Sequence, residues 1–280
     1  MSHPAVVPAD RIAKGMYWGR AWSLVEGCTH CSPGCDHCWS AAATHMRRKN
    51  PNPIISERME GLTRDDGRFN GEIKLRLCNL ELPMRTRKPT VWAIWNDLFH
   101  ESVSEEFQRE AFATMQACKD RHRFLILTKR PRIMADRVES NPQWLRWADH
   151  IWWGCTVCNQ QEADHNLPEL RRISGNLYIS YEPVLRPVNW ERALFVNDHT
   201  DSGAKAAHGR YGWIIAGGET GRTARLMHQQ WGLDVRDQCE AAYVPLFFKS
   251  WGSARETMAT KGYILPAMPR ELPWKESAHA

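Results

Sequence analysis

No stretch of this 280-residue chain approaches the roughly 20 consecutive apolar residues that cross a bilayer. Its first residues, MSHPAVVPADRIAKG, hold no continuous apolar segment followed by a small-residue cleavage site. No membrane span or secretory signal is therefore expected, and a cytoplasmic location follows as an expectation. No internal repeat is present, which argues against solenoids and propellers, and low-complexity tracts are missing too. Charge of one sign is not in large excess: 37 Lys and Arg against 32 Asp and Glu give a formal +5. The resulting pI of 8.7 stays below the value above roughly 9 that marks a dedicated nucleic-acid-binding domain. What the chain does have is an ordinary globular composition, 42% hydrophobic and 25% charged, with 14 tryptophans that suit core, cavity wall or base stacking. The length fits one α/β barrel of roughly 200 to 250 residues, so residues 1–255 are expected to form a single barrel domain and 256–280 a C-terminal extension. The loose segments are expected to be the two ends and the stretch Val196–Arg210.

Short apolar, β-rich runs alternate with helix-like stretches: VWAIWND at 91–97, RFLILTKR at 123–130, IWWGCTV at 151–157, NLYISYEP at 176–183, GWIIAGGE at 212–219 and VPLFFKSWG at 244–252. Near-continuous apolar strands separated by helical patterns predict parallel βαβ units covered on both faces. An α/β fold follows, a partial or open (β/α) barrel with parallel strands and helices outside, with a doubly wound sheet as the competing topology. Asp97, Lys129 with Arg130, Thr156, Glu182, Glu219 and Lys249 each stand where an apolar run stops. In a parallel barrel these positions share the C-terminal rim, where binding sites are built; for any one of them, a polar residue ending a buried strand is the plainer reading.

Cysteine is abundant and unevenly placed. Four of nine fall in GCTHCSPGCDHC, with Cys28, Cys31, Cys35 and Cys38 at spacings of two, three and two intervening residues. In a reducing compartment such a loop suggests metal or cluster binding more than disulfides. Compact thiolate loops hold iron–sulfur clusters because each of several neighbouring irons takes a sulfur ligand. Zinc is the alternative, although two CxxC knuckles are usually separated by about a dozen or more residues. Cys155 and Cys158 form another CxxC that would complete a zinc site with the loop, unless they are small buried hydrophobes.

The triplet Cys31, Cys35, Cys38 resembles the signature of the radical S-adenosylmethionine superfamily. A wider set of segments, GCT..SPGC..CW, DLFHE, ILTKRP, EP.L, GGETG..AR.MH, RDQC and FFKSWG, spread from Trp22 to Gly252, resembles a phage and prophage family of uncharacterised function. That family carries a three-cysteine motif and is grouped near radical S-adenosylmethionine and spore photoproduct lyase-like proteins. The resemblance implies a radical S-adenosylmethionine type of barrel, a 4Fe-4S cluster on three thiolates, S-adenosylmethionine as cofactor and an external electron donor. Its shared cysteines, C-x6-C-x2-C, correspond to Cys28, Cys35 and Cys38, whereas the superfamily spacing selects Cys31. The chain departs from the family after its leading tryptophan, where Ser23-Leu24 replaces Asn-Pro.

Under that resemblance Glu219, Glu182 and Asp97 are candidates for a cofactor ammonium or ribose, and Gly217 and Gly218 of GGETG for close backbone approach to it, unless they only make a tight strand-to-helix turn. Lys129 and Arg130 are candidates for a carboxylate or phosphate clamp or a solvated rim pair. His45, His100 and His228 are proton donors or structural histidines. In the basic clusters RRK at 47–49 and RTRK at 85–88, Arg47, Arg48, Arg87 and Lys88 are candidates for phosphate-backbone contacts or for solvated faces. The expected activity is hydrogen abstraction from nucleic acid or a modified nucleotide in a phage context. The competing expectations are a non-catalytic, zinc- or cluster-stabilised DNA-binding accessory protein, and a degenerate barrel acting through a protein partner.

Overall fold

The computed structural model describes residues 4–146, 148–194, 211–254 and 265–274; the stretch Val196–Arg210 lies outside the described residues. Among the described residues nine strands follow in chain order: β1 (Arg20–Ser23), β2 (Val25–Gly27), β3 (Ile73–Leu75), β4 (Val91–Trp95), β5 (Arg123–Thr128), β6 (Ile151–Thr156), β7 (Asn176–Tyr181), β8 (Tyr211–Gly217) and β9 (Leu246–Ser250). Seven form one parallel sheet in the order β1-β4-β5-β6-β7-β8-β9, curled into a half-barrel with helices around it. The small antiparallel pair β2-β3 stands apart. The spatial order follows the chain order without reversal, whereas a doubly wound sheet reverses at its switch point.

The alternation along each strand separates two cores. Phe124, Ile126, Ile151, Trp153, Ile214 and Leu246 pack outward with helix residues such as Phe112, Met134, Leu167 and Val235. Leu125, Trp152, Tyr178, Trp213, Ile215 and Phe247 point to the concave side. Both faces are thus covered, which is why the six later strands read as unbroken apolar runs. β1 has no such run: RAWS is four residues long and pairs along one edge only, with β4, so it carries no comparable signal.

The end segments are less loose than composition suggests. Ala5 and Val7 are buried in the concave core with Tyr17 and Trp274. In the tail, Phe248 N donates to Pro269 O at 2.8 Å and Glu271 N to Leu246 O at 2.9 Å, while Trp213 Nε1 reaches Glu271 O at 3.0 Å. Arg270 then ties the tail to the N-terminal segment through Ala13 O at 2.6 Å and Ile12 O at 3.1 Å. Three prolines in LPAMPRELPW prevent a regular element, so the segment shows no periodicity even though its side chains anchor.

Gly154 lies in β6 where an added Cβ would sit 2.3 Å from the Tyr178 ring, itself wedged against Trp213 at 5.7 Å between centroids. Replacing it by alanine is expected to lower the unfolding free energy by about 1–3 kcal/mol through overpacking. Urea denaturation measures this, and a stability equal to wild type would mean that the ring moves freely.

Candidate functional site

At the C-terminal ends of the parallel strands a cavity of about 250 Å³ opens. All the rim positions read from the strand ends line it: Asp97, Lys129, Arg130, Thr156, Glu182, Glu219 and Lys249. So do Cys28, Cys35 and Cys38 of the cysteine loop, whereas Cys31 is exposed and outside the lining. Tyr17 and Trp18 of the N-terminal segment reach the same cavity.

The loop is shaped by its own short-range bonds. Ser32 Oγ accepts from Gly34 N at 3.1 Å, opening the turn Pro33–Cys35, and Cys38 then stands at the start of the helix Trp39–Arg47. An added Cβ on Gly34 would lie 2.6 Å from Cys158 Sγ and 3.2 Å from Pro183 Cδ, so the loop presses against the ends of β6 and β7. Cys155 and Cys158 are both fully buried, Cys155 within β6 and Cys158 under this turn.

Two ion-paired clamps hold the loop. On the Cys28 side, Asp97 Oδ2 accepts from Arg130 Nη1 at 3.0 Å and from Lys129 N at 3.3 Å, while Oδ1 accepts from Thr128 Oγ1 at 2.7 Å and Phe99 N at 3.0 Å. Arg130 also donates to Glu101 Oε1 at 2.7 Å and to Thr29 O at 3.4 Å, and its Nη1 lies 3.9 Å from Cys28 Sγ. His100 Nε2 meets Thr29 Oγ1 at 2.6 Å. On the Cys38 side, Glu219 accepts from Arg225 Nη2 at 2.6 Å and meets His37 Nδ1 at 2.9 Å. Arg225 continues to Asp36 Oδ2 at 3.1 Å and Pro33 O at 2.8 Å. The oxygens of Asp97 and Glu219, candidates for a cofactor ammonium or ribose, thus accept from Arg130 and Arg225, which in turn reach the loop.

The electrostatics of the thiols are uneven. Burial, with Asp97 nearby, pushes Cys28 up to about 11. The hydrogen bond between Cys31 and Cys35 lowers Cys35 to about 5 and raises Cys31. Burial works against the charge of Lys129, but Cys35, Cys158, Cys38 and Cys31 outweigh it and raise the ammonium. Burial would likewise raise the Glu219 carboxyl, and the Arg225 and His37 bonds hold it below the usual range. Among the described residues no three His, Cys, Asp or Glu side chains converge on one point as ligands of a single ion do. Cluster thiolates each take a different iron and stand apart around the group. Three thiols of one loop facing one cavity form a donor set that fits such a group.

A family model described as a protein of unknown function (DUF5131) matches residues 14–268. The chain belongs to that family. No curated protein and no solved structure matches it.

The DUF5131 match spans every strand and both clamps. Of the remaining expected site residues, Glu182 faces the cavity and pairs with Lys249 Nζ at 3.0 Å, with Tyr17 Oη 3.3 Å from its other oxygen. Gly218 lines the cavity and Gly217 does not. An added Cβ on Gly218 would sit 2.5 Å from Trp251 O, so this glycine lets the ends of β8 and β9 pack together. His45 bonds Thr63 Oγ1 at 3.1 Å, and His228 caps the helix Gln229–Ala241. The basic residues are not brought together. Arg47 and Arg48 end the helix that starts beside Cys38, whereas Arg87 and Lys88 precede β4 at the opposite, N-terminal rim.

Sequence reasoning assigned no role to Asn96, His37, Tyr17 or Arg225. Asn96 stands at the end of β4 with φ of 58°, a region asparagine tolerates, and joins Ser40 Oγ and Val25 O at 2.7 Å each. An asparagine directly after a buried strand is the signal that could have marked it. Arg225 lies within the quoted GGETG..AR motif, but its partner Asp36 is 189 residues away in sequence.

Removing one member of a buried pair leaves the other charge uncompensated. With both side chains below a tenth exposed, Asp97→Ala is expected to cost about 3–5 kcal/mol of stability. Thermal and urea unfolding measure it; a loss under about 1 kcal/mol, the scale of an exposed pair, would show that the pair does not hold the rim.

Proposed function

We propose that the chain is a cytoplasmic iron–sulfur protein of the radical S-adenosylmethionine type, acting on nucleic acid or a modified nucleotide and drawing electrons from an external donor. The observation that carries this reading is the loop itself: Cys28, Cys35 and Cys38 face one cavity at the C-terminal mouth of a parallel half-barrel. These three would hold a 4Fe-4S cluster, and the exposed Cys31 would stay outside it. With S-adenosylmethionine bound, such a cluster supplies one-electron chemistry that ends in hydrogen abstraction from the substrate. Phage membership rests on the resemblance of the motifs.

The residues of the chain divide the remaining work. Asp97 with Arg130 and Glu219 with Arg225 fix the loop from two sides, so the thiols are positioned before any ligand arrives. Lys129 presents an ammonium to the cavity with no side-chain acceptor among the described residues, which suits a carboxylate or phosphate. Glu182, held by Lys249 and Tyr17, presents a carboxylate to a cationic or hydroxyl group. Trp213, Tyr178 and Phe247 close the concave side below and keep water from entering there. No helix among the described residues is long and apolar enough to cross a membrane.

Anaerobic purification and reconstitution, followed by iron and sulfide determination and spectroscopy, test the proposal. Wild type and Cys31→Ser are expected to hold iron, and Cys28→Ser, Cys35→Ser and Cys38→Ser to lose most of it. Reduction in the presence of S-adenosylmethionine is expected to release 5'-deoxyadenosine. An iron-free chain that binds one zinc and releases none would overturn the enzymatic reading in favour of a non-catalytic accessory protein.

A further inference from the structure

Of the described tryptophans only Trp39 is exposed, at 50%, while Trp22, Trp92, Trp153, Trp190 and Trp213 are fully buried. It is not scattered on the surface, because it lines the cavity directly after Cys38. Trp95 meets it edge-on at 5.1 Å and 76°, which fixes the plane of the ring and leaves a face open. Arg68 and Phe69 line the same cavity. A tight turn delivers them: Thr63 pairs with Phe69, Arg64 N donates to Arg68 O at 2.8 Å, and Gly67 takes φ of 83°. Arg68 is more than half exposed, and its nearest carboxylate, Asp66, is 4.0 Å away.

Charge is concentrated in the same part of the chain. Residues 47–76, which run from the end of the helix that starts beside Cys38 through β3, carry eight Lys and Arg against five Asp and Glu, a formal net of +3 without the 85–88 cluster at the opposite rim. A flat, half-exposed aromatic face that lines one cavity with an open guanidinium, in a stretch of net positive charge, matches a ligand that is both planar and polyanionic. Single-stranded nucleic acid combines the two, since every base has a π-face and every linkage a negative charge.

We infer that Trp39 is a stacking subsite for a base of single-stranded nucleic acid at the cavity mouth, with Arg68 on the adjoining phosphate. The inference rests on the nucleic-acid part of the proposed function and names where that substrate is held. Trp39 is a positioning residue: it seats the strand so that one nucleotide enters the cavity, whose walls carry the thiols. Arg87 and Lys88, at the opposite rim, stand outside this path.

Fluorescence anisotropy of a short labelled oligothymidylate with the reconstituted full-length protein, at several salt concentrations, tests it. Trp39→Ala is expected to weaken binding about 5- to 100-fold and Trp39→Phe to keep most of it. Arg68→Gln is expected to reduce the salt slope by about 0.7, the share of one single-strand phosphate contact. The double variant Arg87→Gln, Lys88→Gln is expected to bind as wild type. Circular dichroism and melting establish that each variant is folded, and Trp39→Phe and Arg68→Gln carry the test should Trp39→Ala not fold. Equal affinity of Trp39→Ala and wild type overturns the inference, as does the same Trp39 dependence towards heparin, a polyanion without bases. Iron-loaded protein that releases 5'-deoxyadenosine but ignores the oligonucleotide also overturns it and leaves the enzymatic reading standing. Trp39-dependent binding in protein that never releases 5'-deoxyadenosine supports the subsite while the enzymatic reading falls.

Discussion

A guanidinium withdrawn from water must find acceptors for its N–H groups inside the protein, and Arg130 finds them in two segments far apart in sequence. Asp97 follows β4, Glu101 lies in the loop beyond it, and Thr29 belongs to the cysteine loop. Because Arg130 stands between the end of β5 and the helix Pro131–Ser140, one side chain ties that junction, the turn after β4 and the loop above them into a single geometry. Burial disfavours its charge, and Asp97 and Glu101 more than restore it. The position of Cys28, and with it the upper wall of the cavity, depends on that balance. Arg225 repeats the arrangement at the other end of the loop with Glu219, Asp36 and Pro33.

This frame explains why a loop with few apolar residues of its own can be held over an open cavity. Its shape comes from the turn at Ser32, its seat from the absence of a side chain at Gly34, and its lateral position from the two guanidinium groups. The frame touches Cys28 Sγ through Arg130 Nη1 at 3.9 Å, and Cys28, Cys35 and Cys38 still face the cavity. The half-barrel below contributes rigidity, with each strand buried on both faces and its last residue delivered to the rim.

The sequence made the parallel α/β architecture legible because burial on two faces produces apolar runs that alternate with helical patterns. It also gave the rim, since Asp97, Lys129, Glu182 and Glu219 end those runs and all reach one cavity. What it could not show was the division of labour among them. Asp97 and Glu219 look like free carboxylates in one dimension, and only the approach of Arg130 and Arg225 reveals that their oxygens are occupied. Residue type and strand position are local properties, whereas a contact such as Arg225 with Asp36 spans most of the chain. β1 was hidden by its brevity, and the roles of Tyr17 and the proline-rich tail by the lack of any period to detect. The two basic clusters looked equivalent, and β4 separates them because Arg87 and Lys88 enter it from the far end.

The concave floor is assembled from segments far apart in the sequence: Ala5, Val7 and Tyr17 on one side and Trp274 on the other, joined through Arg270. Without residues 265–274, Trp152, Trp213 and Phe247 would lack part of their cover, so the base of the vestibule joins segments more than 200 residues apart. Any group that needs a dry compartment above these rings therefore depends on both segments being docked beneath it.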